Sequence, residues 1–278
     1  METLRGKTAV ITGAGSGIGR AFANRFATAG MNLVLADRSE GPLADAVAEA
    51  KAIGADVIGI PTDVANAESM DALAAAAFAK FDQVNVVCNN AGVAGRFMGT
   101  PSVDLVDWEW VIGVNLWGVI HGHRVFLPHL LAHGDGHIVN TSSMAGHLPA
   151  HSAYGASKWA VVAITEGLFH QLNQMGSTVG VSCLCPGWVN TNIASTMNHP
   201  PEHVSPGPKL ELSPEDEARH QMVSEFLRNG LPPANVAELV HDAVLERKFW
   251  IFPHPEAVQM LQKRYDSILT GTNPTPLR

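Results

Sequence analysis

The residues best suited to chemistry lie in one stretch, NTSSMAGHLPAHSAYGASK, at positions 140 to 158. Tyr154 stands four residues before Lys158, and side chains at this spacing share one face of a helix, so both are expected in the same cavity. A free phenol has a pKa of about 10, and a neighbouring ammonium favours the phenolate and lowers that pKa. We therefore predict that Tyr154 takes a proton from a hydroxyl group or returns it to a carbonyl. A half-buried structural tyrosine is the alternative interpretation of this residue alone.

A second candidate site is the glycine-rich turn TGAGSGIGR at positions 12 to 20. The pattern G-x-G-x-x-G fails here because Ile18 occupies its third glycine position, but G-x-x-x-G-x-G fits Gly13, Gly17 and Gly19. Such glycines turn the chain off a strand, let the backbone approach a pyrophosphate, and let the helix lie close to the sheet. The helix start then offers N–H groups and a positive dipole end to the phosphates. The turn predicts a dinucleotide site, with a plain structural turn as the alternative.

Asp37 follows the second apolar run, at the distance beyond the glycines where a carboxylate accepts from the adenosine ribose hydroxyls. A carboxylate there favours NAD because it repels the 2′-phosphate of NADP. Arg38 follows at once, and an arginine at this point is what a 2′-phosphate would use. We predict NAD, with NADP as the alternative.

The elements that must position these residues are short apolar runs alternating with helical segments. Seven runs are rich in β-branched residues: 7–12, 31–36, 55–60, 84–89, 136–141, 178–185 and 249–252. Continuous apolar strands are typical of a parallel sheet buried on both faces. The alternation predicts an α/β fold with a doubly wound parallel sheet of about seven strands and right-handed crossovers.

Residues 192–232 interrupt this alternation, because six prolines within the range and Pro233 just after it surround one short charged segment. A long excursion within a compact domain is usually a functional lid or a disordered loop. We interpret 1–278 as one domain and 192–232 as a substrate lid inserted within it.

The composition narrows the class of partner. With 46% apolar and 16% charged residues the chain is typical of a globular protein. Its formal charge of -8 disfavours nucleic acid and anionic membranes, which require basic surfaces. No apolar run is long enough to cross a bilayer. A small molecule is the expected partner.

The cysteines and the N-terminus bear on location. The chain has three cysteines, and we place the side chains of Cys183 and Cys185 on opposite faces of their strand, so that they form neither a disulfide nor a chelate. The N-terminus lacks the pattern of a signal peptide. A cytoplasmic protein is the expectation.

Several short motifs appear together in the order seen in one known family. They are TGAGSGIG, TDV with Asp63, NNAG at 89–92, GVNLWG with Asn115, SSMAG, YGASK at 154–158 and PGWVNT at 186–191. In this set the chain resembles the short-chain dehydrogenase/reductase family over about residues 1 to 192. The resemblance implies a Rossmann-type fold, an NAD(P) cofactor and hydride transfer between an alcohol and a carbonyl.

The resemblance also implies roles for individual residues. Lys158 would hold the nicotinamide ribose, Asn115 would hold a water that links Lys158 to solvent, and a serine would orient the substrate oxygen toward Tyr154. The serine is Ser143 by its S-x-x-G setting, with Ser142 second, although the loop from Ser143 to Tyr154 is shorter than is usual in the family. The implied cofactor set is Gly13, Ser16, Gly17, Ile18, Gly19, Asp37, Arg38, Asp63, Val64, Asn90, Ala91, Gly92, Tyr154, Lys158, Pro186, Gly187, Val189 and Thr191.

The substrate side is predicted from apolar and aromatic residues near these motifs. His147, Leu148, Trp188 and Met197 are the candidates, together with His151 and Ile193. They suit a bulky hydrophobic or aromatic secondary alcohol or ketone. The chain has 13 histidines, and His121, His123, His129 and His133 have no acidic or cysteine partner at ligand spacing beside them, so we predict no metal. The family resemblance implies a homodimer or homotetramer, with the helix at about 153–173 as a candidate interface.

Two rival functions remain open at this point. One is a dinucleotide-binding sensor without catalysis, although a sensor needs no proton relay such as Asn115, Ser143, Tyr154 and Lys158. The other is a dehydratase or epimerase on the same fold, in which the cofactor is recycled. Net formation or consumption of NADH separates the second rival from a dehydrogenase.

Overall fold

The computed structural model describes residues 3–95, 105–149, 151–197 and 214–274. The strands are β1 Thr8–Thr12, β2 Asn32–Asp37, β3 Val57–Pro61, β4 Val86–Asn89, β5 His137–Thr141, β6 Gly180–Leu184 and β7 Trp250–Ile251. The helices are α1 Gly17–Thr28, α2 Glu40–Ile53, α3 Ala67–Lys80, α4 Leu105–Ile112, α5 Gly118–His133, α6 Ala153–Gln174, α7 Pro214–Arg228, α8 Pro233–Glu246 and α9 Gln259–Thr270. A π-helical turn, Gly113–Trp117, joins α4 to α5, and short 3-10 helices occupy Met144–Gly146, Asn192–Met197 and Pro255–Val258.

The strands form one parallel sheet in the order β3-β2-β1-β4-β5-β6-β7. The order reverses between β1 and β4, which pair directly with Ile11 opposite Cys88. In an open α/β sheet, ligands bind at the carboxyl ends of the strands beside such a reversal. The predicted fold class, a doubly wound parallel sheet in a single Rossmann-type domain, is confirmed.

Both faces of the sheet are covered, which explains the continuous apolar strands. One core layer packs α1, α2 and α8 against the sheet around Phe22, Phe26 and Leu35. The other core layer packs α3, α5 and α6 against the opposite face of the sheet around Met70, Phe126 and Leu168. Among the described residues, no helix combines the length and the hydropathy that a membrane crossing requires.

The predicted lid lies partly outside the described residues, because 198–213 are not among them. Its described parts are Asn192–Met197, α7 and the chain to residue 232, where Leu231 forms a parallel bridge with Val189. Val223 and Leu227 of α7 pack against Ala94 beside the cleft. The lid itself stays a proposal.

Candidate active site

A cavity of about 1570 Å³ opens at the carboxyl ends of the strands. It is larger than the roughly 300–1,000 Å³ of a single small-ligand pocket, so it has room for a dinucleotide together with a substrate. Twenty of the residues proposed from the sequence line it: Gly13, Ser16, Gly17, Ile18, Asp37, Arg38, Asp63, Val64, Asn90, Ala91, Gly92, Ser143, Leu148, Tyr154, Lys158, Pro186, Gly187, Trp188, Val189 and Thr191. The further candidates His151 and Ile193 line it as well.

Tyr154 and Lys158 are brought together by the first turns of α6. The Ser152 side chain caps this helix by accepting a hydrogen bond from the Gly155 amide at 3.1 Å. Lys158 is 3% exposed, and its Nζ donates to the Thr141 carbonyl at 2.9 Å while lying 5.6 Å from the centroid of the Tyr154 ring. The helix therefore presents the phenol and the ammonium to one cavity, as their spacing predicted.

The electrostatics of the pair differ from the sequence prediction. Burial raises the pKa of the Tyr154 phenol, and a side-chain hydrogen bond with Ser143 acts in the opposite direction. The expectation that this pKa is lowered is wrong, because burial is the larger effect. Burial lowers the pKa of Lys158 to about 8. Tyr154 is thus protonated at neutral pH and is ready to act as an acid toward a carbonyl.

The two candidate serines have different partners. Ser142 is 1% exposed, and its hydroxyl donates to the Lys158 carbonyl at 2.8 Å, which ties β5 to α6. Ser143 lines the cavity, bonds to Tyr154, and donates to the Pro186 carbonyl at 3.3 Å. Ser143 is therefore the serine that can orient a substrate oxygen against Tyr154, as the S-x-x-G setting suggested.

Asn115 lies in the π-helical turn and is fully buried. Its Oδ1 accepts from the Val93 amide at 2.8 Å, and its Nδ2 donates to the Val93 carbonyl at 2.9 Å and to Ser157 at 3.1 Å. A Cβ added at Gly92 would lie 3.4 Å from Asn115 Oδ1 and 3.5 Å from Lys158 Nζ. Asn115 does not line the cavity. It holds the backbone at Val93, and the neighbouring Gly92 lies between the Asn115 side chain and Lys158. π-turns of this kind frequently occur at functional sites.

The glycine-rich turn has the close approaches that a dinucleotide cradle requires. Gly13 and Gly17 have left-handed backbones with φ of 66° and 52°. A Cβ at Gly19 would lie 2.1 Å from the Gly13 carbonyl oxygen, so no larger residue fits the helix start against the strand. Ser16 stands at the N-cap of α1 without using its side chain to cap the helix. The amides at this helix end are oriented as a pyrophosphate requires.

Asp37 ends β2 and is fixed from two sides. Its Oδ2 accepts from the Gly15 amide and its Oδ1 from the Ser39 amide, each at 2.9 Å. The carboxylate lies in the cavity wall beside the exposed Arg38. The charge is thereby held where ribose hydroxyls of a dinucleotide would donate to it.

Several remaining cofactor candidates brace this wall. Asn90 donates from Nδ2 to the Thr12 carbonyl at 3.0 Å, and the Asn90 and Ala91 amides donate to the Thr12 hydroxyl. Asp63 accepts from the Ala65 amide at 3.0 Å, which matches a turn role in addition to its place in the cavity. These contacts fix the backbone that would lie along the adenosine half of the dinucleotide.

The substrate end contains one wrong prediction. His147 does not line the cavity: it is 6% exposed, its Nε2 lies 3.3 Å from the Cys185 sulfur, and its ring packs against both Trp250 and Phe252. The histidine follows a 3-10 turn that directs its ring into the core, which spacing in a loop does not reveal. Met197 ends the 3-10 helix Asn192–Met197, and its side chain lies outside the described part of the chain.

Two of the cavity-wall elements that the sequence analysis missed lie in the C-terminal part of the chain. One is a stripe along α7, whose residues at helical spacing face the cavity: Arg219, Met222, Val223, Phe226 and Leu227. Phe226 stacks on Trp188 at 5.2 Å between ring centroids. The other is the segment after β7, which contributes His254, Glu256, Ala257 and Met260. The i, i+3, i+4 spacing of the apolar residues of α7 could have predicted that one face of this helix is covered. No sequence pattern predicts that the C-terminal segment returns to the site.

The placement of the two neighbouring cysteines also needs correction. Residues two apart in a strand point to the same face, and the sulfurs of Cys183 and Cys185 lie 3.7 Å apart in the core. Both thiols are fully buried and reduced. The hydrogen bond with Cys183, followed by burial, raises the pKa of the Cys185 thiol.

Comparison with known proteins agrees with this geometry. The family model described as "short chain dehydrogenase" matches residues 7–202. A short-chain dehydrogenase/reductase from Burkholderia phymatum, solved in complex with NAD, is 44% identical with a TM-score of 0.94, and the match covers 99% of each chain. The CLA biosynthesis dehydrogenase/reductase of Lactiplantibacillus plantarum is 30% identical over 99% of this chain and 97% of its own. The C alpha-dehydrogenase of a Sphingobium species is 31% identical over 99% of this chain and 89% of its own.

The similarity covers the glycine turn, the acid/base pair and the whole sheet. The prediction of a nicotinamide dinucleotide cofactor is confirmed at the level of NAD(P). The chain belongs to the short-chain dehydrogenase/reductase family, a family of NAD(P)-dependent oxidoreductases.

Proposed function

We propose that this oxidoreductase interconverts a bulky hydrophobic or aromatic secondary alcohol and the corresponding ketone, with Tyr154 as its acid/base and NAD as its preferred cofactor. One observation carries the proposal: the Tyr154 hydroxyl, bonded to Ser143, stands in the same cavity as the glycine turn and Asp37. The bound nicotinamide supplies the hydride or accepts it. The chain supplies the proton and the orientation of the substrate.

In the reducing direction, the Tyr154 hydroxyl donates its proton to the substrate carbonyl. Ser143 would turn its single hydroxyl hydrogen from the Pro186 carbonyl to the same substrate oxygen, which would stabilise the developing negative charge. Lys158, mostly protonated at neutral pH because its pKa is about 8, adds positive charge beneath the forming phenolate. In the oxidising direction the same proton returns to Tyr154.

The walls of the outer cavity support a bulky apolar substrate. Trp188 and Phe226 are each about half exposed although they stack on one another. Met222 is also half exposed and lines the cavity from the same face of α7. Apolar walls with few polar anchors are typical of sites for hydrophobic ligands. The lid role that we propose for 192–232 is supported by this face of α7, which lines the outer cavity.

The direct test is a panel of alcohols and ketones, graded from small aliphatic to large aromatic, with NAD and NADP measured in parallel. The expected result is stoichiometric NADH formation with oxidised product, and kcat/KM that rises with the apolar size of the substrate. Turnover without net change in NADH would instead identify the dehydratase or epimerase. Binding of NADH without any turnover across the panel would identify a sensor.

Cofactor preference can be tested at Asp37. The change Asp37→Asn keeps the shape and one of the two amide contacts but removes the charge that repels a 2′-phosphate. We expect kcat/KM for NADP to rise relative to NAD by about tenfold, the size of one charge contact at the protein surface. Parallel initial rates with both cofactors measure this ratio.

Asp45→Asn is the matched control, because Asp45 is exposed on α2 and does not line the cavity. It removes the same net charge from the protein and should leave the NADP/NAD ratio unchanged. An equal change in both variants would show that overall charge, rather than the position of Asp37, sets the preference.

The assembly and the location of the protein stay predictions. We propose a homodimer or homotetramer in the cytoplasm, acting on a small molecule and not on nucleic acid or membrane. The candidate interface is α6, Ala153–Gln174, the helix that the family resemblance implies.

A further inference from the structure

The segment after β7 returns to the cavity and places His254 against the loop that follows β6. Gly187 donates its amide hydrogen to His254 Nδ1 at 3.0 Å. The other ring nitrogen, Nε2, lies 3.0 Å from the Trp188 carbonyl oxygen. A carbonyl can only accept and an amide can only donate, so the imidazole must be neutral with its hydrogen on Nε2. A single side chain thus makes two hydrogen bonds to two successive residues.

The first of these bonds acts on a peptide plane that also reaches the acid/base machinery. The Pro186 carbonyl belongs to the same peptide as the Gly187 amide. That carbonyl accepts from the Ser143 hydroxyl at 3.3 Å and from the Met144 amide at 2.8 Å. Because the peptide is planar, holding its N–H on His254 directs its C=O toward Ser143. His254 and Ser143 are therefore joined through one rigid group.

The packing leaves little room for an alternative arrangement. A Cβ added at Gly187 would lie 3.1 Å from both Cγ and Nδ1 of His254, so the ring lies directly against the Gly187 backbone. The Trp188 carbonyl also accepts from the Leu231 amide at 2.9 Å. The loop is consequently fixed between the C-terminal segment and the chain that leaves α7.

We propose that His254 is a positioning residue for the oxidoreductase: its neutral imidazole fixes the Pro186–Gly187 peptide, and thereby orients Ser143 and the loop that faces the nicotinamide half of the cofactor. The inference rests on the proposed function, since it assigns Ser143 and this loop their catalytic places. It predicts an effect confined to the nicotinamide half. The adenosine half would be held by Asp37 and Asp63, which His254 does not contact.

The test uses two variants of the full chain with opposite chemistry. His254→Phe keeps a planar ring but removes both nitrogens. His254→Gln keeps an acceptor and a donor on one planar group. Calorimetry measures the binding of NADH and of ADP-ribose, which lacks the nicotinamide, and initial rates on the best alcohol give kcat and KM. His170→Phe is the matched control, because His170 is exposed on α6 and does not line the cavity.

For His254→Phe we expect unchanged ADP-ribose affinity and a NADH affinity about tenfold weaker, the effect of two lost hydrogen bonds. We expect kcat to fall by about 10- to 100-fold, because small displacements of catalytic groups are costly. His254→Gln should recover most of both losses, and His170→Phe should match the wild type. If His254→Phe does not fold, His254→Ala takes its place in the comparison with His254→Gln.

Three outcomes overturn the proposal. The first is an unchanged ratio of NADH affinity to ADP-ribose affinity in His254→Phe. The second is an equal loss of affinity for both ligands. The third is a His254→Gln variant whose NADH affinity and kcat are as low as those of His254→Phe. Failure of the proposed function is distinguishable, because a wild-type protein that oxidises no alcohol would still give the binding comparison. That comparison decides the role of His254 independently of turnover.

Discussion

Replacing Tyr154 by phenylalanine is expected to lower kcat by about 100- to 10,000-fold, the range that a positioned acid/base contributes. The hydroxyl is the only group removed, and it is the group that bonds Ser143 and exchanges the substrate proton. The ring, its packing and its contact with Lys158 remain. NADH affinity measured by calorimetry should therefore stay close to that of the wild type.

The chain offers a close control for this variant. Its only other tyrosine, Tyr265, lies on α9, is about half exposed and does not line the cavity. Tyr265→Phe removes the same atom and should keep full activity. If Tyr154→Phe kept its turnover, another group would have to move the proton, and the mechanism with Tyr154 as the acid/base would be wrong.

Lys158→Met is expected to give a more stable protein that has lost at least about 99% of its activity. Burial lowers the pKa of Lys158 from 10.5 to about 8, a difference that corresponds to about 3 kcal/mol of unfavourable free energy at pH 7. Methionine removes this cost but loses the hydrogen bond to the Thr141 carbonyl, worth about 1 kcal/mol. The net gain of about 2 kcal/mol should raise Tm by about 4 °C.

The stability gain of Lys158→Met should depend on pH in a defined direction. Below pH 8 the lysine is protonated in both the folded and the unfolded chain, so the full cost applies. Between about pH 8 and 10.5 the unfolded chain binds more protons than the folded one, and the stability of the wild type rises with pH. The advantage of the variant should therefore shrink over this window.

Urea unfolding at pH 7 and pH 9.5 measures both proteins under the same conditions. Taking the difference between the two proteins cancels the contributions of Tyr154 and the buried thiols, which are common to both. A variant that is less stable at pH 7, or an advantage that does not change with pH, would contradict the assigned cost of burying Lys158. With the expected result, the burial of Lys158 would be a case in which a group needed for activity lowers the stability of the fold.

The sheet and the acid/base pair were predictable because both depend on short-range periodicity. Continuous apolar runs specified a parallel sheet, and the strands begin and end within about two residues of those runs. The i, i+4 spacing of Tyr154 and Lys158 placed them correctly because α6 is regular. The cofactor turn was readable for a similar reason, since its glycines are required by local backbone geometry.

The features that failed depend on tertiary packing. The pKa of Tyr154 is governed by burial, which no spacing reveals. His147 was placed in the cavity because it is close in sequence, yet one 3-10 turn directs it into the core. His254 was not considered, because its partners Gly187 and Trp188 lie 67 and 66 residues away in the chain.

The burial of all three cysteines has a practical consequence for testing the proposed lid. Cys88, Cys183 and Cys185 are each fully buried, and burial raises the pKa of the Cys88 thiol far above its usual range. Alkylating reagents require an accessible thiolate, so the native cysteines of the folded protein should not react with them. A cysteine introduced on the exposed side of α7 would therefore be the single labelling position, and a dye attached there would report whether that helix moves when cofactor and substrate bind.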